Sequence, residues 1–171
     1  AGKSFTFTLT TNAMLLTPEI LDELDREQVS LILSLDGRPE VHDAKRCGSH
    51  APVERAIRMV LDRRAPGGRP AWEYGAAQGA SGRGAYAVVR GTYTADNLDF
   101  AEDALYMMEH MQSPHFSLEP VVATPDEPYA LREEHLPRLL AEYERLALEV
   151  DRRRREGHPV TFHHFAVESE T

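Results

Sequence analysis

Four apolar runs in this chain each end in side chains with chemistry to offer. Residues 5–10 run into Thr11 and Asn12, and residues 29–33 into Ser34 and Asp36. Residues 86–89 run into Arg90, Thr92 and Thr94, and residues 115–118 into Glu119. If these ends converge, one mouth is ringed by hydroxyl and amide donors, the carboxylates of Asp36 and Glu119, and the Arg90 guanidinium. Such a set suits a zwitterionic or ribose-bearing ligand, because carboxylates accept from ribose hydroxyls and arginine pairs with a carboxylate. It offers no nucleophile beside a base and no phosphate-binding loop. Each signature alone has a plainer explanation: Asp36-Gly37 as a turn, Thr10-Thr11 as a strand end, Arg90 as a surface ion-pair partner. Their recurrence at equivalent positions of successive runs points to a site.

The remaining chemistry-bearing residues carry less. Cys47 is the only cysteine, so no internal disulfide or multi-cysteine metal site is available. Its neighbours Arg46 and His50 could activate the thiol, although a lone cysteine is usually passive. His158, His163 and His164 lack helical ligand spacing. His163 and His164 fall in an expected strand, where adjacent side chains point to opposite faces and do not share a metal. One is expected in the core and the other at a polar face.

The elements that must position the mouth alternate in type. The pattern reads strand 5–10, a helix opened by Thr17-Pro18-Glu19, strand 29–35, helix 52–64, strand 85–89, helix 96–111, strand 116–122, helix 133–155 and strand 160–167. The helical stripes are Ile20, Leu21 and Leu24; then Val53, Ile57, Val60 and Leu61; then Leu98, Ala101, Leu105 and Met108. The last helix offers Leu136, Leu139, Leu140, Tyr143, Leu146, Ala147 and Val150. Met107, Met108 and Met111 are expected as core filler. Residues 65–84 are rich in Gly and Pro and are expected to form a flexible loop or insertion. The alternation implies parallel strands with right-handed crossovers, either an open sheet or a segment of a larger barrel. A segment would have unpaired edges and poor solubility alone.

The chain has 171 residues and a net charge of −9, enough length for one cored domain and the wrong charge for general nucleic-acid binding. The Arg152–Arg155 block sits at a helix end, where cations suit the macrodipole and stay solvated. No membrane-length apolar run or signal segment is evident, so the expected setting is cytoplasmic. The start at Ala1, inside a strand-like run, suggests a partial chain.

Longer motifs carry a resemblance. Leu9-Thr-Thr-Asn-Ala-Met-Leu-Leu-Thr-Pro-Glu-Ile-Leu-Asp22 resembles the third strand and following helix of radical S-adenosylmethionine (SAM) enzymes, with Ala13 where their Thr-Asn-Gly pattern has glycine. Leu33-Ser-Leu-Asp-Gly37, with Val41-His-Asp43 and Arg46, is similar to the fourth strand of members carrying a SPASM or related cluster domain. The segment after that arginine is shortened here to Cys47-Gly-Ser-His50. Val89-Arg-Gly-Thr-Tyr-Thr-Ala-Asp-Asn-Leu-Asp-Phe100, Leu118-Glu-Pro-Val-Val-Ala123, Tyr129-Ala-Leu-Arg-Glu-Glu-His-Leu-Pro137 and Phe162-His-His-Phe165 together resemble the thioether-forming maturases of cysteine-rich SCIFF peptides.

The resemblance implies a partial TIM-type (βα)6 barrel of α/β class, with this chain supplying about four to five βα units across residues 1–171. It implies SAM as cofactor, a 4Fe–4S cluster that cleaves it to a 5′-deoxyadenosyl radical, and a cysteine-rich precursor peptide as partner. The radical would take a hydrogen from a peptide α-carbon, where a cysteine sulfur then bonds. By position, Ser34 and Asp36 would lie near the SAM ribose or amino-acid end. Arg46 or Arg90 would face its carboxylate, and Asn12, Thr92 and Glu119 would line the mouth. The family's Cys-x3-Cys-x2-Cys and Gly-Gly-Glu motifs and its auxiliary-cluster cysteines do not occur in this sequence. The chain is therefore expected to be an inactive fragment that needs the rest of a longer maturase. The alternatives are a non-catalytic βα module or pseudoenzyme that binds a peptide or partner, and a half-barrel that binds a nucleotide or sugar phosphate.

Overall fold

The computed structural model describes residues 7–64 and 86–165, together with Lys3 and Phe5. The segment 65–84, expected as a flexible loop, lies outside the described residues. Five strands form one sheet: β1 (Thr8–Thr11), β2 (Ser30–Ser34), β3 (Ala87–Tyr93), β4 (His115–Pro120) and β5 (Thr161–Phe162). They lie side by side in chain order, and every neighbouring pair is parallel. The helices are α1 (Pro18–Arg26), α2 (Pro39–Lys45), α3 (His50–Arg63), α4 (Phe100–Glu109) and α5 (Leu136–Arg155). A strictly sequential order has no switch point. Crossovers of one hand therefore put all helices on one face, which is how a barrel is wound.

Burial confirms the two faces. Leu31, Leu33, Leu35, Val89, Tyr93, Phe116, Leu118 and Phe162 point one way and join the core with Leu21, Ile57, Val60, Phe100, Ala104, Met107 and Leu146 from the helices. Each large apolar side chain so buried contributes about 1.5–3 kcal/mol. Their strand neighbours Ile32, Ser34, Arg90, Thr92, Ser117 and Glu119 point to the other face, because side chains alternate along a strand.

Most of the expected elements are present, with differences that have physical reasons. Thr17 caps α1 by accepting from the Ile20 amide at 3.3 Å, and Pro18 opens the helix. Only Leu21 of the expected stripe on α1 is fully buried, and Ile20 is exposed. The three methionines are core residues. The segment expected as one helix over 96–111 is split. Thr94 and Asn97 cap each other around a short 3₁₀ turn, Ala95–Asn97, before α4 begins.

Helix α2 had not been anticipated, although Pro39 and Glu40 are an ordinary helix start. The stripe on α5 is narrower than expected. Leu139 and Leu146 are buried with Tyr143 and Val150 beside them, whereas Leu136, Leu140 and Ala147 are exposed. The last strand ends at Phe162, and His163 and His164 lie in a 3₁₀ turn, His163–Phe165, rather than on alternating faces of a strand.

Glycine is required where β3 passes the end of β2. A Cβ on Gly91 would sit 2.4 Å from the Leu35 carbonyl oxygen and 2.7 Å from Leu118 Cδ2. Ala13, buried after β1, has φ of 61°. That is the left-handed region, where the glycine of the family pattern would be free of strain.

Candidate functional site

Strand register sets the site. Ser34 lies opposite Arg90, Arg90 opposite Ser117, and Thr92 opposite Glu119, so these five side chains form two rows on the helix-free face. They fall toward the carboxyl ends of the strands, as the sequence implied. Asn12 follows β1 at the same end and is exposed. Its Oδ1 accepts from the Met14 amide at 3.2 Å, closing a turn.

The structure divides the two acid and two arginine candidates into pairs with different jobs. Asp36 is buried and saturated: Arg46 donates to it from Nε at 2.6 Å and Nη2 at 3.0 Å, and the Thr92 amide donates at 3.0 Å. A carboxylate so engaged has little left for a ribose. Asp36 instead ties the end of β2 to α2 and to β3. Arg46 is bound up in that pair, whose hydrogen bond holds its guanidinium charged against the cost of burial. Arg90, by contrast, is half exposed on the open face and lies 3.8 Å from Glu119, beyond hydrogen-bond distance. Among the described residues, no hydrogen bond takes up its donors.

Glu119 is a fixed anion. Burial pushes its carboxyl up, but hydrogen bonds from Ser117 and His164, aided by the nearby Arg90 charge, outweigh this and bring it below the usual carboxylate range. His163 stands close by. Burial first, then His164 and Arg90, lower its affinity for a proton against the opposing pull of Glu119.

The sequence reading missed several residues behind this face. Lys45, at the end of α2, donates to Asn97 Oδ1 at 2.7 Å and to the Thr92 carbonyl at 3.4 Å. Its burial pulls its pKa down. Asp103 on α4 is fully buried; it accepts from the Arg38 amide and Nε at 3.1 and 2.8 Å and from Asn97 Nδ2 at 3.0 Å. His42 is also fully buried, taking the Asp36 amide on Nδ1 at 3.2 Å and meeting Ser49 Oγ through Nε2 at 3.1 Å. Together these hold the loop after β2. Pro39, which starts α2, was the signal that could have found them.

Among the described residues, no group of three or more His, Cys, Asp or Glu could hold a metal. Cys47, the sole cysteine, is exposed. An iron–sulfur cluster requires several thiolates, so this chain's residues do not fit one. The polar face does fit the amino-acid and ribose portions of SAM: an uncommitted guanidinium for a carboxylate, hydroxyls at Ser34 and Thr92, and an ionised carboxylate at Glu119.

Comparison with known proteins agrees on the fold. No protein-family model matches the chain, and no curated protein matches it by sequence. Solved structures do match. Native anSMEcpe with bound AdoMet superposes with a TM-score of 0.70 at 16% identity, covering 94% of this chain and 40% of its own. Native anSMEcpe with bound AdoMet and Kp18Cys peptide gives 0.68 at 17% identity, covering 94% of this chain and 41% of its own. The form with bound AdoMet and Cp18Cys peptide gives 0.69 at 16%, with coverages of 94% and 41%.

The chain thus spans about two fifths of the length of these structures. At this identity the likeness establishes the fold alone, a segment of a TIM-type barrel. That is the architecture the sequence resemblance implied.

Proposed function

We propose that this chain is the SAM-binding, peptide-facing part of a radical SAM peptide maturase, of the kind that forms thioether cross-links from cysteine sulfur to α-carbon in a cysteine-rich precursor peptide. One observation carries the reading. The Ser34–Arg90–Ser117 and Thr92–Glu119 rows lie on the helix-free face of a sheet shared with proteins that hold AdoMet and a peptide. In this reading Arg90 takes the SAM carboxylate, Ser34 and Thr92 offer hydroxyls to its polar portions, and Asn12 and Glu119 line the mouth. Asp36 and Arg46 support the face instead of touching the ligand, because each is spent on the other. SAM bound there would supply carbon-radical chemistry to a peptide. The residues of this chain bind and orient both molecules. The 4Fe–4S cluster that such chemistry needs is not held by this chain, which by itself is inactive in this reading.

The test compares SAM with decarboxylated SAM by NMR-detected titration of wild type and Arg90→Ala. A charged hydrogen bond is worth about 1.5–3 kcal/mol, so loss of either the guanidinium or the carboxylate costs about ten- to hundredfold in affinity. Once Arg90 is gone, the carboxylate should make no further difference. Equal preference for the carboxylate in both proteins would overturn the assignment.

A further inference from the structure

His164, expected from the sequence only as a core or polar-face histidine, lies next to the candidate site in the middle of a hydrogen-bonded chain. Tyr93 Oη lies 3.2 Å from Tyr143 Oη, Tyr143 Oη 2.9 Å from His164 Nδ1, and His164 Nε2 2.9 Å from Glu119 Oε2. The other Glu119 oxygen accepts from Ser117 and faces Arg90. The hydrogen-bonded chain therefore runs from the aromatic core, where Tyr93 stacks on Phe100 at 4.4 Å, to Glu119, which faces the Arg90 guanidinium across 3.8 Å.

Its direction follows from what each group can do. An ionised carboxylate only accepts, so Nε2 of His164 must carry the hydrogen. When the ring carries that hydrogen alone, Nδ1 accepts from Tyr143 and Tyr143 in turn can accept from Tyr93, so that the donors point toward Glu119. The order is consistent with the burial that keeps both phenols protonated. The ring is also clamped sterically, 5.0 Å from Phe162 and 5.9 Å from Tyr143 between centroids.

We propose that Tyr143 and His164 are positioning residues. They hold Glu119 oriented beside Arg90, so that the guanidinium is presented to a carboxylate of the ligand. The titratable groups facing His164 are Glu119 from β4, Tyr143 from α5 and the adjacent His163, with Arg90 from β3 beyond Glu119. The ligand class rests on the function proposed above; the hydrogen-bonded chain does not.

The test is nitrogen-15 NMR of the histidine rings and arginine Nε groups in the full chain, first without ligand. Measured at a pH where the ring carries a single hydrogen, His164 is expected in one tautomer, with that hydrogen on Nε2. Glu119→Ala should leave a mixture of tautomers. His164→Ala and Tyr143→Phe should broaden or shift the Arg90 Nε signal, while Arg90→Lys leaves the tautomer unchanged. A purely structural His164 would not link these signals. Hydrogen on Nδ1 in the wild type, or an Arg90 signal indifferent to both variants, overturns the proposal. SAM is then added. If the ligand-free results hold and wild-type Arg90 does not respond to SAM, the positioning chain stands and the SAM reading fails. If Arg90 responds, His164→Ala should weaken SAM binding about fivefold, the worth of one hydrogen bond.

Discussion

At the scale of single residues, the main finding is that Asp36 and Arg46 are spent on each other while Arg90 stays half exposed on the open face. Asp36 and Arg46 had equal claim in the sequence to Ser34 and Arg90, since all four stand at strand ends or in the same motif. Only geometry separates them. Asp36 is buried with three donors on it, and Arg46 is one of its partners. Removing Arg46 would strand a buried carboxylate. Breaking such pairs costs about 3–5 kcal/mol, and Arg46→Met should fall toward the lower end because Arg46 is itself a third exposed. Urea unfolding of that variant should therefore show a large loss of stability, whereas Arg90→Ala should lose ligand binding with little change in midpoint.

His42 gives a pH dependence whose sign is fixed. Burial lowers its pKa from the ordinary 6.5, and His115 and His163 are lowered for the same first reason. The unfolded chain then binds more protons than the folded one below pH 6.5. Their contribution is intact above that value and is lost as pH falls through the folded-state pKa values. The urea midpoint should decline on acidification from pH 6.5, and His42→Asn should make that decline shallower.

At the scale of elements, the strands were legible because parallel strands covered by helices read as apolar runs, and Leu31, Leu33, Val88 and Val89 do so plainly. The helices with strong caps were legible too. What escaped had weaker or competing signals. Helix α2 is only seven residues long, and its inward contacts are the polar His42 and the charged Lys45 rather than an apolar stripe. Its apolar periodicity is therefore faint. The final strand was over-extended because Phe162 and Phe165 flank the two histidines, yet the backbone turns after Phe162. Leu136 and Leu140 have helical spacing but lie on the solvent side of α5, which periodicity alone does not decide.

The close passage of β3 over the end of β2 was visible only as a glycine. Gly91→Ala must push against the Leu35 carbonyl and Leu118. Overpacking of this kind costs about 1–3 kcal/mol. Because Asp36 follows Leu35 directly, the same change should also disturb the Asp36–Arg46 pair. A lowered thermal midpoint, with a shifted Arg46 Nε resonance, would show both effects together.

At the scale of the whole molecule, the sheet has an open face and an unshared edge. Among the described residues β1 pairs only with β2, and Phe5, Phe7, Leu9, Met14 and Leu15 around it are exposed. Edge strands of this kind associate. Sedimentation should show concentration-dependent self-association of the isolated chain, reduced by Phe7→Lys. The candidate rows lie on the open face, so the isolated chain should bind SAM weakly, with a Kd on the order of millimolar.

The most direct measurement is chemical-shift mapping of the labelled chain during titration with SAM, and separately with ATP. We predict shifts for SAM confined to Asn12, Ser34, Arg90, Thr92, Ser117 and Glu119, absent in Arg90→Ala and not reproduced by ATP. SAM shifts that fall elsewhere, or an equal response to ATP on the same face, would contradict the account.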